Sequence, residues 1–420
     1  MKRHLIGIGG VGMSALATAL VRLGDEVTGA DRTLGTPNIR FLESLGIKVF
    51  PDDGSGVDKS TDEVIISTAI EETNAGLIKA KELGIPVTHR AKALARTLKD
   101  YKLVAVVGTC GKSTVTAMLG HVLAECGLDP MCVNGANVPG WEGAVRFGKG
   151  EYAVAEVDES DKSLVAFKPY AAIVTNASAD HYSKEEMDDV FDSFIKDCHG
   201  PVIDGRKKGS GIRDQGSGAE WVTPLPGKHN LQNAALVAKM ALALGCKVDD
   251  IKRALSTFRG VERRLQLISR SDPCSLIPDP FSVYDDYAHN PEKLKAMWTT
   301  LAEKHPEGIC VIWRPHGYAP LRKMMDALAV MFAETVRPCD KLLLLPVYDA
   351  GGTTDRSVNS DELLNRIQTL KHSNTQTLQV ADLEAAYDWC AAHKGEFAAF
   401  VTCGARDPGL PVLAKRLSEM

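Results

Sequence analysis

The sequence has no long apolar run, no surplus of basic charge and no closely paired cysteines. Its longest uninterrupted apolar stretches, such as residues 103–107 and 342–345, are much shorter than the ~18 residues that cross a bilayer, which argues against a membrane-spanning protein. The 49 basic and 54 acidic residues give a net charge of −5, which argues against nucleic acid as a partner. The 10 cysteines include no C-x-x-C pair, so a disulfide framework or zinc knuckle is not expected and a reducing cytoplasm fits better.

The first 20 residues could be mistaken for a secretory signal peptide. They begin with Lys2 and Arg3 and continue into an apolar segment. Four glycines interrupt that segment, however, and glycine is a poor helix former. The glycines have a better explanation in the first motif below.

The chain of 420 residues is long enough for two to four domains, and its 44% apolar and 25% charged residues are ordinary for a globular protein. Short β-branched runs alternate with helical patterns, which predicts the α/β class with parallel sheets. A basic helical segment before residue 98 and a proline-rich segment at 269–280 suggest three domains, at 1–98, 99–268 and 269–420. Strands are predicted at residues 4–8, 26–29, 63–67, 103–107, 131–133, 152–155, 172–175, 283–286, 309–313, 341–347, 377–380 and 398–402. Helices are predicted at 13–23, 75–83, 90–99, 185–197, 231–244, 249–258, 292–305, 321–335, 361–369 and 383–392, and a surface loop or partly mobile segment at 203–220.

The first motif is a glycine-rich loop between a predicted strand and a predicted helix, consisting of Gly7, Gly9, Gly10, Val11 and Gly12. Glycines allow a tight turn and close approach of the backbone, and the helix N-terminus presents free N–H groups. Asp31 ends the next strand, where such folds often carry an acid. The motif predicts a diphosphate site, but NAD, FAD and a UDP-sugar would all satisfy it.

The second motif is a phosphate loop, which again joins a strand to a helix. Its residues are Gly108, Thr109, Cys110, Gly111, Lys112, Ser113 and Thr114. Backbone amides of such a loop hold the anion, Lys112 would reach the outer phosphates, and the Ser113 hydroxyl could bind Mg²⁺. The loop is shorter than the standard form, since Val106 stands where that form has its first glycine. It predicts binding of a nucleoside triphosphate.

Acidic residues follow the next strands. The run from Glu156 to Asp161 comes directly after the strand at 152–155, and Asp180 and His181 follow the strand at 172–175. The carboxyl ends of parallel strands share one edge of a sheet, and carboxylate oxygens suit Mg²⁺. A chain with both loops and these acids is expected to hold a diphosphate-bearing substrate and to use ATP on it.

Taken in order, these segments resemble the Mur ligase family over nearly the whole chain, and within it most closely the members that join L-alanine to UDP-N-acetylmuramate. The matching segments are GIGGVGMS at 7–14, STAI at 67–70, Arg90, GTCGKST at 108–114, AEVDESDKS at 155–163, IVTNASADH at 173–181, PGKHNLQNA at 226–234, FRGVERRL at 258–265, DDYAHNP at 285–291 and RPHGY at 314–318. Several motifs in a fixed order are far more specific than any one of them.

The resemblance implies a Rossmann-like N-terminal domain for the UDP-sugar, a P-loop ATPase-type central domain with a mostly parallel sheet, and a Rossmann-like C-terminal domain for the amino acid. It implies ATP and Mg²⁺ as cofactors, a UDP-N-acetylmuramate-type sugar nucleotide and an amino acid as partners, and a cytoplasmic monomer or homodimer that binds neither nucleic acid nor membrane. The implied reaction forms an acyl phosphate on the substrate carboxylate, which the amine then attacks.

The resemblance also implies residue roles. In the first domain, Ser67 and Arg90 join the glycine-rich loop and Asp31 in binding substrate. Lys112 would contact the β- and γ-phosphates, and Ser113, Glu156 and His181 would hold magnesium. The adenine side would be formed by His229, Asn230 and Asn233, the γ-phosphate would be reached by Arg264, the ribose by Asp286, and the nucleophile would be faced by His289 and His316.

Four departures from the family pattern bear on the substrate. Cys110 and Asn290 replace histidines, and Gly317 and Pro320 replace two arginines. Guanidinium groups are natural partners of carboxylates, so their loss puts the identity of the amino acid in question. The segment between His181 and His229 is also short, which predicts missing edge strands around 203–220, and the carbamylated lysine of other members has no clear counterpart.

Three alternatives remain open at this point. One is a relative that adds another amino acid or a peptide, and another is a catalytically weak nucleotide-binding regulator. The third, a dehydrogenase, depends on the glycine-rich loop and Asp31 alone and does not explain the phosphate loop.

Overall fold

A computed structural model describes residues 1–158, 163–177, 184–207, 220–268, 281–349, 355–371 and 376–420. It shows an α/β protein with three mostly parallel sheets, which confirms the predicted fold class. The chain forms two compact units: unit 1 contains Met1–Leu225 and His229–Val261, and unit 2 contains Pro226–Lys228 and Glu262–Met420. Within the described ranges no helix is both long enough and apolar enough to span a membrane.

The first sheet of unit 1 has five parallel strands in the order β3-β2-β1-β4-β5. The strands are β1 Lys2–Ile6, β2 Glu26–Asp31, β3 Lys48–Pro51, β4 Glu63–Ile66 and β5 Val87–His89, and the helices are α1 Val11–Arg22, α2 Pro37–Ser44, α3 Ala75–Glu82 and α4 Arg90–Thr97. The strand order reverses direction between β1 and β4, and ligands of such sheets bind outside the carboxyl ends of strands at that point.

The second sheet of unit 1 has six strands in the order β11-β10-β6-β9-β7-β8, and only β8 is antiparallel to its neighbour. The strands are β6 Lys102–Val107, β7 Met131–Val133, β8 Val145–Arg146, β9 Tyr152–Glu156, β10 Ala171–Val174 and β11 Val202–Asp204. The helices are α5 Lys112–Glu125, α6 Lys184–Lys196, α7 Lys228–Ala243 and α8 Val248–Thr257. The expected loop at 203–220 is wrong at its start, because β11 pairs with β10 there; residues 208–219 lie outside the described residues.

The sheet of unit 2 has six strands in the order β12-β13-β17-β14-β15-β16, with β12 antiparallel to β13. The strands are β12 Gln266–Leu267, β13 Ser282–Asp286, β14 Ile309–Trp313, β15 Lys341–Leu344, β16 Thr377–Gln379 and β17 Ala399–Cys403. The helices are α9 Pro291–Lys304, α10 Tyr318–Thr335, α11 Ser360–Lys371, α12 Leu383–Ala392 and α13 Gly409–Ser418.

The two sheets of unit 1 share one apolar core. Buried side chains of α1 and α4, such as Leu16 and Leu94, belong to the same cluster as Val133 and Val145 of the second sheet. At the surface, the Arg22 Nε atom lies 2.8 Å from a carboxylate oxygen of Glu142. The predicted boundary at residue 98 therefore falls between two sheets that pack as one body. Both domain boundaries stay predictions. Strand β12, at Gln266–Leu267, precedes the boundary placed at 269 but already belongs to the third sheet.

Candidate active site

The glycine-rich loop leaves β1 and enters α1 directly. Gly7 adopts the left-handed conformation with φ of 73°, which glycine accommodates without strain. The Gly9 N–H donates to Asp31 Oδ2 at 2.9 Å, while Asp31 Oδ1 accepts from the Thr33 N–H at 3.0 Å. Among the described residues no side chain caps the N-terminus of α1, whose preceding residue is Gly10. Free amide groups and the helix dipole thus remain available to an anion, as the sequence predicts.

A cavity of about 510 Å³ opens beside this loop, within the size range of small-molecule sites. The structure places most of the predicted substrate residues in its wall, namely Gly7, Gly10, Val11, Gly12, Asp31, Ser67 and Arg90. Gly9 is absent from the wall, because it lies against Asp31 and Ile39. A methyl group added to Gly12 would lie 3.1 Å from an Nη atom of Arg90, so the guanidinium lies directly beside the loop.

The same cavity is also lined by the second sheet of unit 1. Its wall includes Glu156 and Asp158 after β9, and Asn134 and Gly135 after β7. Glu156 and Asp158 belong to the acidic run in which the sequence predicts magnesium ligands, whereas Asn134 and Gly135 were not predicted. Asn134 and Gly135 follow β7, which is adjacent to β9 in the sheet, so neighbouring strand ends would have been a usable signal.

The phosphate loop joins β6 to α5 and is held in an unusual backbone conformation. Gly111 precedes α5 with φ of 82°, and Gly108 has φ of 130°. The Lys112 Nζ atom donates to the Gly108 carbonyl at 2.7 Å, folding the side chain back across the loop. Ser113 and Thr114 are buried in the first turn of α5. The predicted phosphate-binding residues are therefore brought together as one strand–loop–helix unit.

The acids after β9 lie next to the phosphate loop. Asp158 Oδ1 is 4.0 Å from Lys112 Nζ. Glu156 Oε2 accepts from the Gly135 N–H at 2.8 Å, and a side chain at Gly135 would collide with this carboxylate. Carboxylate and hydroxyl oxygens are hard ligands of the kind that Mg²⁺ takes, so these residues fit a cation bound to phosphate. His181, the third predicted magnesium ligand, lies outside the described residues.

Two predicted adenine-side residues lie on the first turns of α7. The Asn233 amide donates to Asn230 Oδ1 at 3.2 Å, and both side chains are buried. A methyl group added to Gly111 would lie 3.1 Å from Asn233 Oδ1, so this asparagine adjoins the phosphate loop. His229 lies beside them in the exposed first turn.

In unit 2, Asp286 organises the turn that carries Arg264. Its two carboxylate oxygens accept from the N–H groups of Leu265 and Ala288, each at 2.7 Å. Burial raises the pKa of Asp286, and the charge of Arg264 opposes that shift. The Arg264 guanidinium lies 5.2 Å from the centre of the Tyr287 ring. The family resemblance implies that Asp286 contacts the ribose; in the structure its carboxylate binds these two backbone N–H groups.

His289 and His316 form a pair at the carboxyl ends of β13 and β14. Their ring centres are 4.8 Å apart, and His289 Nδ1 donates to the Tyr287 carbonyl at 2.9 Å. Burial lowers the pKa of each imidazole to about 4, helped by the charge of Lys293 at both rings and of Arg406 at His316. Both rings are therefore neutral near pH 7, and each can accept a hydrogen bond although it is a weak base.

Two residues of unit 2 that depart from the family pattern have visible structural roles. Asn290 caps α9, because its side chain accepts from the Lys293 N–H at 2.9 Å. Gly317 precedes α10 with φ of 155°, in an extended region of backbone that glycine enters readily. Nothing in the described part of the chain explains Pro320, which lies in the first turn of α10, and residues 350–354 lie outside the described residues.

Two protein-family models match the chain. The family model described as Mur ligase family, catalytic domain, matches residues 2–102, and the one described as Mur ligase, glutamate ligase domain, matches residues 263–406.

Full-length relatives agree with these matches. The chain is 30% identical to a UDP-N-acetylmuramate–L-alanine ligase from Rhizobium etli, over 99% of this chain and 97% of that protein. It is also 30% identical to the protein of the same name from Gloeobacter violaceus, over 98% and 95% of the two chains.

Solved structures show the same similarity in three dimensions. A crystal structure of UDP-N-acetylmuramate-alanine ligase from Thermotoga maritima superposes with a TM-score of 0.83 at 26% identity, covering 100% of this chain and 98% of the other. A murein peptide ligase from Psychrobacter arcticus shares the fold, with a TM-score of 0.67 at 19% identity over 100% and 99% of the two chains.

Proposed function

Because the chain belongs to the Mur ligase family, we propose that it is an ATP-dependent ligase joining L-alanine to the carboxylate of UDP-N-acetylmuramate. The observation that carries this proposal is the cavity of unit 1, whose wall contains both the glycine-rich loop and the acids beside the phosphate loop. A diphosphate on the first and a triphosphate on the second would bring a sugar carboxylate and ATP to neighbouring positions. The relatives that match nearly the whole chain carry the name of this activity.

Binding of the sugar nucleotide would use the free amides of α1 and the guanidinium of Arg90. Both are positive features of a wall that also contains Asp31 and Ser67. Arginine suits a diphosphate because its planar group donates two parallel hydrogen bonds. We assign the diphosphate to this end of the cavity and the reacting carboxylate to the end with Glu156 and Asp158.

Activation of the carboxylate would take place beside the phosphate loop. The carboxylate oxygen attacks the γ-phosphorus, the bond to the β–γ bridging oxygen breaks, and ADP leaves. Lys112 would stabilise the charge that develops on the phosphoryl oxygens, and Arg264 is assigned to the same role from the family motif. A magnesium ion held by Ser113 and Glu156 would neutralise further charge on the triphosphate.

The amine would then attack the acyl phosphate and displace inorganic phosphate. An ammonium group must lose a proton before it can act as a nucleophile. His289 presents Nε2 as an acceptor, because its Nδ1 already donates to Tyr287. With pKa values of about 4, both rings are neutral at pH 7 but are weak bases, so we assign His289 and His316 to binding and orienting the amine after its proton has passed to solvent.

A second candidate is a ligase that adds a different amino acid or a peptide to a UDP-muramyl substrate. It is favoured by Gly317 and Pro320, which stand where the family pattern has arginines. The loss of two carboxylate partners would alter how the carboxyl group of the incoming amino acid is held.

The test is phosphate release from ATP and Mg²⁺ with UDP-N-acetylmuramate and single amino acids. We expect release that needs both the sugar nucleotide and L-alanine. Release with the sugar nucleotide and another amino acid or peptide would select the second candidate. Background release with every amine would reject UDP-N-acetylmuramate as the acceptor.

The Lys112→Ala variant tests the mechanism in the same assay. Removing a charged donor from the phosphoryl group is expected to reduce kcat by about 100-fold or more. The exposed residue Lys99 supplies the control, since Lys99→Ala removes the same charge away from the site. Unchanged turnover in the Lys112 variant would contradict the role of the phosphate loop in the reaction.

We also propose that the protein acts in the cytoplasm as a monomer or homodimer. Its proposed substrates, ATP and a UDP-sugar, are found there. Sedimentation at several protein concentrations would distinguish the two oligomeric states.

A further inference from the structure

Thr175 and Asn176, directly after β10, bind the backbone of the phosphate loop. The Thr175 hydroxyl donates to the Cys110 carbonyl at 2.7 Å, and the Asn176 amide Nδ2 donates to the same carbonyl at 2.9 Å. Asn176 Oδ1 accepts from the Cys110 N–H at 2.9 Å and from the Thr109 hydroxyl at 2.7 Å. The Asn176 carbonyl also accepts from the Thr109 N–H at 3.3 Å.

This arrangement pairs one side-chain amide with both polar groups of a single residue's backbone. A primary amide carries an acceptor and donors in one plane, so Asn176 contacts Cys110 much as a neighbouring strand would. The contact is made in the middle of the loop, between the end of β6 and the start of α5.

The approach of β10 to the loop is also very close. A methyl group added to Gly108 would lie 2.1 Å from the Thr175 hydroxyl and about 3 Å from the backbone of Asn176. Only a residue without a side chain fits there, and Gly108 has a backbone conformation that glycine favours. The glycine and the Thr175–Asn176 pair therefore depend on each other.

We propose that Thr175 and Asn176 are positioning residues that hold the phosphate loop in its ATP-binding conformation. This inference rests on the proposed function of the loop. The amides that would hold the phosphates can bind with little reorganisation only if the loop is already ordered. By fixing the Thr109 and Cys110 backbones, Thr175 and Asn176 order the loop when the protein folds. Less conformational entropy is then lost when ATP binds.

The test measures binding of ATP and of UDP separately, so that no ligation is required. Calorimetry with Mg²⁺ and a non-hydrolysable ATP analogue would be compared with UDP, which addresses the glycine-rich loop. The Asn176→Ala variant loses three side-chain hydrogen bonds, each of which changes an equilibrium by about 2- to 10-fold. We expect its Kd for the ATP analogue to rise by about 10- to 100-fold, with the Kd for UDP within about 2-fold of the unaltered chain.

Matched variants separate positioning from general loss of structure. Thr175→Val removes the hydroxyl while keeping the shape and should weaken ATP binding by about 10-fold, whereas Thr175→Ser should restore it. Asn365→Ala, at an exposed position of α11, controls for loss of an asparagine. In steady-state assays the KM for ATP should rise in the Asn176 variant while the KM for the sugar nucleotide does not.

The possible failures are distinguishable. If the unaltered chain binds no ATP, the proposed function fails and this inference falls with it. If the unaltered chain binds ATP and Asn176→Ala binds it within about 2-fold, or if the Kd for UDP rises in parallel, the inference alone is wrong. Should Asn176→Ala not fold, the Thr175→Val and Thr175→Ser pair decides the matter in the same way.

Discussion

His4 shows how burial changes the chemistry of a single residue. It lies in β1 with 1% of its surface exposed, and its Nδ1 is 2.9 Å from the Thr28 hydroxyl. Burial lowers its pKa to about 4, although the charges of Asp52 and Asp58 act in the opposite direction. His4 therefore folds as a neutral side chain at pH 7, and its protonation is linked to stability.

Acidification should destabilise the protein partly through His4. Its pKa in the folded state is lower than the ~6.5 of an unfolded histidine, so its stabilising effect is complete above pH 6.5 and falls as the pH drops towards 4. Between pH 7 and pH 5 this group should reduce the free energy of unfolding by about 2 kcal/mol. Urea unfolding at the two pH values measures the change.

The variant His4→Gln supplies the comparison, because glutamine can still bond Thr28 but does not titrate. Its free energy of unfolding should fall less between pH 7 and pH 5 than that of the unaltered chain. Equal losses in the two proteins would show that His4 titrates normally.

At the same scale, the sequence identifies residues whose position in a motif defines their chemistry. Lys112 and Glu156 follow strands that the sequence predicts; in the structure Lys112 donates to the Gly108 carbonyl, and Glu156 accepts from the Gly135 N–H. Asp158 belongs to the acidic run in which the sequence predicts a magnesium site, whereas no role was predicted for Asn176, because that role depends on which strands are neighbours. The order β10-β6-β9 puts both of them at the phosphate loop, and that order is a property of the sheet.

Among the elements, α9 shows how a departure from a family motif acquires a structural role. Asn290 is buried immediately before Pro291, and its side chain accepts from the Lys293 N–H. Asparagine is among the strongest N-cap residues, and proline is favoured in the first helical turn. Helix α9 therefore begins where an N-cap residue is followed directly by a proline.

Removal of this cap should weaken unit 2. We expect Asn290→Ala to lower the free energy of unfolding by about 1 kcal/mol, because it leaves an amide of the first turn without its acceptor. Asn290→Asp, which keeps the acceptor, should lose less. Denaturant unfolding compares the variants with Asn365→Ala in the exposed part of α11, and a loss no larger than in that control would argue against capping.

Element boundaries were predicted to within a few residues wherever a helix or strand is long and periodic. The strand at 309–313 and the helix at 383–392 have the predicted bounds, and α1 begins two residues early. Short edge strands such as β3, β5 and β12 were missed, as were α2 and α13. A run of two to four residues has too little periodicity to distinguish it from a loop, and only pairing with a neighbour makes it a strand.

At the scale of the whole molecule, the two sheets of unit 1 share one cavity. One wall carries Arg90 and the glycine-rich loop, and the other carries Glu156. Since both walls belong to one compact unit with a common core, ligand binding at the cavity should stabilise the whole unit.

UDP-N-acetylmuramate should therefore raise the Tm of the protein. A ligand at 100 times its Kd adds ~2.7 kcal/mol to the free energy of unfolding. The variant Arg90→Gln should lose most of this increase, because its guanidinium lies in the cavity wall beside Gly12. Thermal unfolding with and without the ligand measures the effect.

Lys92→Gln provides the matched control, since Lys92 is an exposed cation of the same helix. It should retain the full ligand-dependent increase in Tm. Equal increases in the two variants would remove Arg90 from the binding site.

The sequence alone determined the fold class, the two glycine-containing loops that join a strand to a helix, and the family, because each motif consists of residues that are close together along the chain. Glycine conformations, strand–helix junctions and helix caps are local, and the physics that selects them acts over a few residues. The tertiary structure alone decided that two sheets share one core and one cavity, and that Thr175 and Asn176 hold the phosphate loop. These contacts join residues about 65 positions apart, and they form only because parallel strands bring their carboxyl ends to a common edge.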